Sequence, residues 1–233
     1  MRWTYTLTHL VHRTPGVGSL TRRVVQMVRN RRFKGSATYW DSTYRTGGNS
    51  GPGSYGRLAE FKAEVLNGFV ERNAVKTVIE LGCGDGAQLA RARYPGYVGV
   101  DVSPSAIALC QERFAGDPSK QFFLLGATDG YAGAHDLVLS LDVIFHLIED
   151  AAFDRYMRDL FALADRYVII YASNVDRAPM GHVRHRRFTD WIEANATAWI
   201  QIDFIKNRYP FDPRRRDDTS YADFHVFGRR KPI

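Results

Sequence analysis

From Leu58 to Arg72 the apolar residues Leu58, Phe61, Val65, Leu66, Phe69 and Val70 recur at the spacing of one helical face, with Glu60, Lys62, Glu64 and Glu71 between them. This predicts a core-facing helix. Short apolar runs then follow at Thr77 to Leu81, Tyr97 to Val102, Gln121 to Leu125, Asp136 to Leu141 and Tyr167 to Tyr171, each read as a strand. Helices are expected after Gly86, across Ala106 to Phe114 and around Phe153 to Ala164. Ser103 and Pro104 open the second of these well, serine as an N-cap and proline in the first turn. Alternating strands and helices imply an α/β fold, a parallel sheet wound on both faces with its ligands at the carboxyl ends of the strands. The runs Trp199 to Ile205 and Tyr221 to Gly228, joined by a polar, proline-bearing loop, read as an antiparallel pair. No internal repeat or second domain is visible.

The first strand runs into Val78-Ile79-Glu80-Leu81-Gly82-Cys83-Gly84-Asp85-Gly86, and Asp101, 21 residues after Glu80, ends the second. Glycines there let backbone approach a ligand, and an acid at the tip of the neighbouring strand reaches a ribose diol, so the pair points to a nucleoside cofactor. Gly82, Gly84 and Ala87 also satisfy the dinucleotide pattern G-x-G-x-x-A. Glu80 and Asp85 make this turn acidic, which opposes a pyrophosphate and suits the amino group and sulfonium of S-adenosylmethionine. Glu80-x-Gly82-x-Gly84-x-Gly86 with Asp101 resembles the first two motifs of class I S-adenosylmethionine-dependent methyltransferases. The resemblance implies a Rossmann-like, mostly parallel seven-stranded sheet with an antiparallel last strand and helices on both faces. It implies cofactor contacts from Glu80, Gly82, Gly84, Asp101, Val102, Ala127 and Leu141. Families often place Asp where Ala127 stands, so adenine recognition falls to backbone there or to Asp129.

Residues 35–57 combine Tyr39, Trp40, Tyr44 and Arg45 with a run of glycines from Gly47 to Gly56. So many glycines predict a long loop rather than a helix or strand, and aromatics before them favour a lid. Many small-molecule methyltransferases begin with a similar Tyr-Trp segment folded over the cofactor. That resemblance assigns Tyr39, Trp40 and Arg45 to the cofactor, with Arg45 on its carboxylate.

Charge divides the chain unevenly. The net charge is +7, yet residues 1–34 carry eight basic residues and no acid, leaving 7 − 8 = −1 for the rest. A basic arm suits phosphates, anionic lipid heads or an acidic partner, and it also has the composition of a transit peptide. Its plain reading is a solvated extension packing Val24, Val25 and Val28 on the methyltransferase domain of residues 58–233. No run of 18 apolar residues predicts a membrane span. Cys83 and Cys110 form neither a disulfide framework nor a zinc spacing, and a reducing cytoplasm is the expected location.

Methyl transfer to a hydroxyl needs a held cofactor, an aligned nucleophile and a route for the proton. In this fold the residues after the fourth strand face the methyl group, here Ser140 to Leu147, and the nucleobase pattern Asp/Asn/Ser-Pro-Pro-aromatic is absent. His146 is the expected base or a structural residue of the cofactor shell, and Asp142 orients it or binds metal. By resemblance to magnesium-dependent sugar and catechol enzymes, Asp142, Asn174 and Asp176 supply oxygen ligands for Mg2+, although Ser173 stands where an acid is expected. An insertion near residues 175–190 carries His182 and His185, followed by Trp191, read as acceptor-binding or as a solvated face.

These features are most similar to bacterial sugar O-methyltransferases, such as those of actinobacterial methylmannose polysaccharide biosynthesis. The expected activity is methyl transfer to a hydroxyl of a small molecule or saccharide, with a homo-oligomer possible. The alternatives are an RNA or protein methyltransferase that uses the basic arm, with nucleic acid not the expected partner, a dinucleotide oxidoreductase, which the acidic turn disfavours, and a non-catalytic cofactor-binding protein.

Overall fold

A computed structural model describes residues 35–127 and 131–230. The basic arm and Asp129 lie outside the described residues. The strands are β1 (Thr77–Leu81), β2 (Gly96–Asp101), β3 (Lys120–Leu124), β4 (His135–Leu141), β5 (Ala164–Ala172), β6 (Trp199–Ile205) and β7 (Asp223–Arg229). They form one sheet in the order β3-β2-β1-β4-β5-β7-β6. The first five run parallel, and β7 is antiparallel to both β5 and β6. This is the expected mixed sheet with its last strand reversed. The chain leaves β1 toward β2 on one side and reaches β4 on the other, so a crevice opens above β1 and β4 where strand order reverses.

Helices α1 (Ser36–Arg45), α2 (Gly56–Arg72), α3 (Pro104–Arg113), α4 (Asp150–Ala162) and α5 (Phe188–Asn195) surround the sheet. Successive strand residues point to opposite faces, and two cores result. Val78, Leu139 and Tyr171 pack with Phe61, Leu66 and Phe69 of α2 and Ile107 of α3. Ile79, Val138 and Ile170 pack with Met157 and Leu160 of α4 and Phe188 and Ile192 of α5. Ser103 caps α3 as its sequence predicts, its hydroxyl accepting the Ala106 N–H at 3.1 Å.

Two sequence expectations are corrected. After Gly86 the chain forms only a single 3-10 turn, Leu89–Arg91, in place of an α-helix. Residues 87–95 must return the length of a five-residue strand, about 17 Å, and nine residues rising 1.5 Å each as a helix fall short. The aromatic half of the 35–57 segment is α1, not loop. Its ten residues contain no glycine, and the left-handed glycines Gly47 and Gly51 follow it.

No described helix is long and apolar enough to cross a membrane.

Candidate active site

Above the carboxyl ends of β1, β2 and β4 lies a cavity of about 650 Å³. Gly82, Gly84, Glu80, Asp101 and Val102 line it from the first two strands, and Leu141, Asp142, Val143 and His146 from β4 and the turn beyond. Trp40 and Tyr44, four residues apart on α1, close it from above.

The glycine turn is shaped by contact. Gly84 has φ +57, and a Cβ there would lie 2.3 Å from the Ser50 hydroxyl and 2.8 Å from that of Tyr44. At Gly82, with φ +86, a Cβ would lie 2.5 Å from Val143. The turn therefore approaches both the α1 segment and the β4 loop as closely as backbone allows. Asp101 accepts the N–H of Gly84 at 3.0 Å and that of Ser103 at 2.9 Å, which fixes its carboxylate at the cavity wall. Each oxygen keeps lone-pair capacity for a diol.

Glu80 is buried and accepts the Tyr97 hydroxyl at 2.7 Å. Burial pushes its carboxyl up to about 7, opposed by the Tyr97 bond and the charge of Lys62. Asp85, expected to serve the cofactor cation, is committed elsewhere. It accepts the Ser50 hydroxyl at 2.8 Å, the Tyr55 hydroxyl at 2.7 Å and the Ala87 N–H at 3.0 Å, tying the loop after α1 to the turn.

Asp142 does not orient His146. Its carboxylate pairs with the Lys62 ammonium at 2.7 Å, and its backbone is left-handed at φ +60. His146 instead places Nδ1 3.2 Å from the His182 carbonyl. A carbonyl only accepts, so Nδ1 carries the proton and Nε2 keeps its lone pair. Burial and the charges of His182 and His185 push this imidazole down to about 3, against the hydrogen bond to His182. Its ring is neutral at physiological pH.

The remaining sequence candidates are spread out. Arg45 is exposed and, like Tyr39 and Ala127, lies outside the cavity lining, because α1 turns Trp40 and Tyr44 inward and Arg45 points away from them. Tyr39 stacks on His182 at 4.4 Å, and His182 on His146 at 5.3 Å, so His182 sits behind the cavity wall. His185 meets the Ser173 hydroxyl at 2.5 Å. Trp191 donates its indole N–H to Asp154 at 2.9 Å and stacks on Phe161, a packing position against α4.

The proposed Mg2+ ligands are not assembled. Asn174 is bonded to Thr189, Asp176 accepts the Arg187 N–H, and Asp142 already carries an ammonium. Among the described residues no group of three or more His, Cys, Asp or Glu is placed to hold a metal. Sequence reading missed Lys62, Ser36 and Glu149, all of which line the cavity.

Sheet order and the position of the glycine turn after β1 together define the class, a class I methyltransferase fold. Residues 79–166 match the family described as a methyltransferase domain. EEF1A lysine methyltransferase 4 of Mus musculus is 32% identical over 43% of this chain and 41% of its own length, so the chain spans less than half of that relative. The N-methyltransferase NodS of Bradyrhizobium japonicum WM9, solved in complex with S-adenosyl-L-homocysteine, superposes with a TM-score of 0.61 at 15% identity, covering 85% of this chain and 100% of that one. CalS10, an amino pentose methyltransferase of Micromonospora echinaspora solved with S-adenosylmethionine, gives 0.56 at 13% identity over 82% and 97%.

Proposed function

We propose that the protein transfers the methyl group of S-adenosylmethionine to a hydroxyl of a small molecule or saccharide. The observation that carries this reading is the His146 tautomer, which presents an unprotonated Nε2 on a residue lining the cavity next to Trp40. Bound cofactor supplies an electrophilic methyl carbon. Glu80, Gly82, Gly84 and Asp101 are the residues that would hold it, and the lid would exclude water.

His146 Nε2 orients the acceptor by taking a hydrogen bond from its hydroxyl. As the oxygen gains its bond to the methyl carbon, the carbon–sulfur bond would break with its electron pair going to the departing S-adenosylhomocysteine; the O–H becomes strongly acidic, so the proton would pass to Nε2 late, where even a weak base accepts it. Trp40, which lines the cavity beside His146, would add apolar ring surface against a bound acceptor. An amine acceptor is the second reading, favoured by the low basicity of His146, because a neutral amine attacks without a base.

Calorimetric titration with S-adenosylhomocysteine and with NAD, followed by transfer of labelled methyl to paired hydroxy and amino sugars, tests both readings. Binding of the homocysteine product with labelled hydroxy sugar supports the first. Label only on amino sugars supports the second, and binding of NAD alone overturns both.

A further inference from the structure

The cofactor ends in an amino acid whose carboxylate a cation would balance, and Arg45 lies outside the cavity. Resting on the methyltransferase reading, we propose that Lys62 holds this carboxylate and that Glu80, Lys62 and Asp142 together form a receptor for the amino-acid zwitterion.

Lys62 lies on α2 with its side chain 1% exposed, and it lines the cavity. A buried ammonium is costly unless it is paired. Asp142 takes one of its three donors at 2.7 Å, and the Tyr171 ring lies 5.3 Å from Nζ. Two N–H donors remain for a ligand.

The proposed ribose contact sets which end of the cofactor arrives here. With the ribose at Asp101 on β2, the amino-acid end extends over β1 toward β4, and β1 carries Glu80 while the end of β4 leads into Asp142. Acid, base and acid thus alternate along that path, matching the ammonium and carboxylate of an amino acid. Among the described residues the other cation lining the cavity is Arg155, on α4, which packs against the opposite face of the sheet from α2.

The lid seals this group. A Cβ on Gly53 would lie 2.7 Å from Asp142 Oδ2, so the backbone of the loop rests on the ion pair. Excluding water there strengthens each charge–charge contact.

The test measures affinities of the wild-type protein for S-adenosylhomocysteine, its decarboxylated analogue and methylthioadenosine, and repeats them with Lys62→Met and Lys62→Arg. Wild type should bind S-adenosylhomocysteine at least about tenfold more tightly than the decarboxylated analogue, the size of a charge-assisted hydrogen bond. Lys62→Met should remove that preference while methylthioadenosine affinity stays within about twofold, which also reports an intact nucleoside site. Lys62→Arg should restore much of it. Equal wild-type affinity for the first two ligands overturns the assignment whether or not the variants fold. So does a preference that survives in Lys62→Met. Failure of wild type to bind any of the three overturns the methyltransferase reading instead.

Discussion

Glu149 receives both polar groups of Ser36, the backbone N–H at 3.1 Å and the hydroxyl at 2.8 Å. Ser36 is the first residue of α1, so a carboxylate meets the positive end of the helix that carries Trp40 and Tyr44. Two further clasps hold the same segment. The Ser103 hydroxyl donates to Asp41 at 2.8 Å, and Ser50 and Tyr55 donate to Asp85.

On the proposed function, α1 and the loop after it would open to exchange cofactor for product, and the Ser36–Glu149 contact would resist that opening. Weakening it with Ser36→Ala or Glu149→Ala should weaken closure by about 1 kcal/mol. Stopped-flow dissociation of S-adenosylhomocysteine should then be about fivefold faster. An unchanged rate would show that the contact does not gate release.

Glu80 gives the ligand-free protein a pH signature. Burial raises its folded pKa to about 7 from a reference of 4.5. Between these values the unfolded chain has released a proton that the folded protein retains, so stability falls as pH rises through the window and levels off above it. Glu80→Gln should remove this contribution, and the difference in unfolding free energy between wild type and variant should change between about pH 4.5 and 7. Parallel curves across that range would mean Glu80 titrates normally.

His146 predicts the form of the rate profile. With its pKa pushed down to about 3, it contributes no acidic limb near 6.5 to turnover on the true acceptor. His146→Ala should lower turnover by about 100-fold with cofactor affinity retained. A wild-type limb near 6.5 that vanishes in the variant would contradict the neutral, weakly basic imidazole.

The strands and the glycine turn were legible because each rests on local pattern, apolar runs bounded by Gly, Pro or Asp. The absent helix after Gly86 was not, since its exclusion comes from the distance back to β2. Lys62 was readable in principle. It stands four residues from both Leu58 and Leu66, on the stripe those residues bury, although as a charged residue it reads as solvent-facing. The partners of Asp85 and Asp142 were beyond sequence reading because they depend on where the lid and α2 cross the turn. The same holds for His182, whose backbone carbonyl sets the His146 tautomer.

The truncated crossover between β1 and β2 also bears on how the chain assembles. Thr77 pairs with Gly96, 19 residues away, whereas Val78 pairs with Leu137, 59 residues away. Closing the shorter loop costs about 1 kcal/mol less chain entropy. The strand pair bearing the glycine turn and Asp101 is therefore the cheaper of the two β1 pairings to close, so the nucleoside half of the cleft rests on the more local of the two contacts.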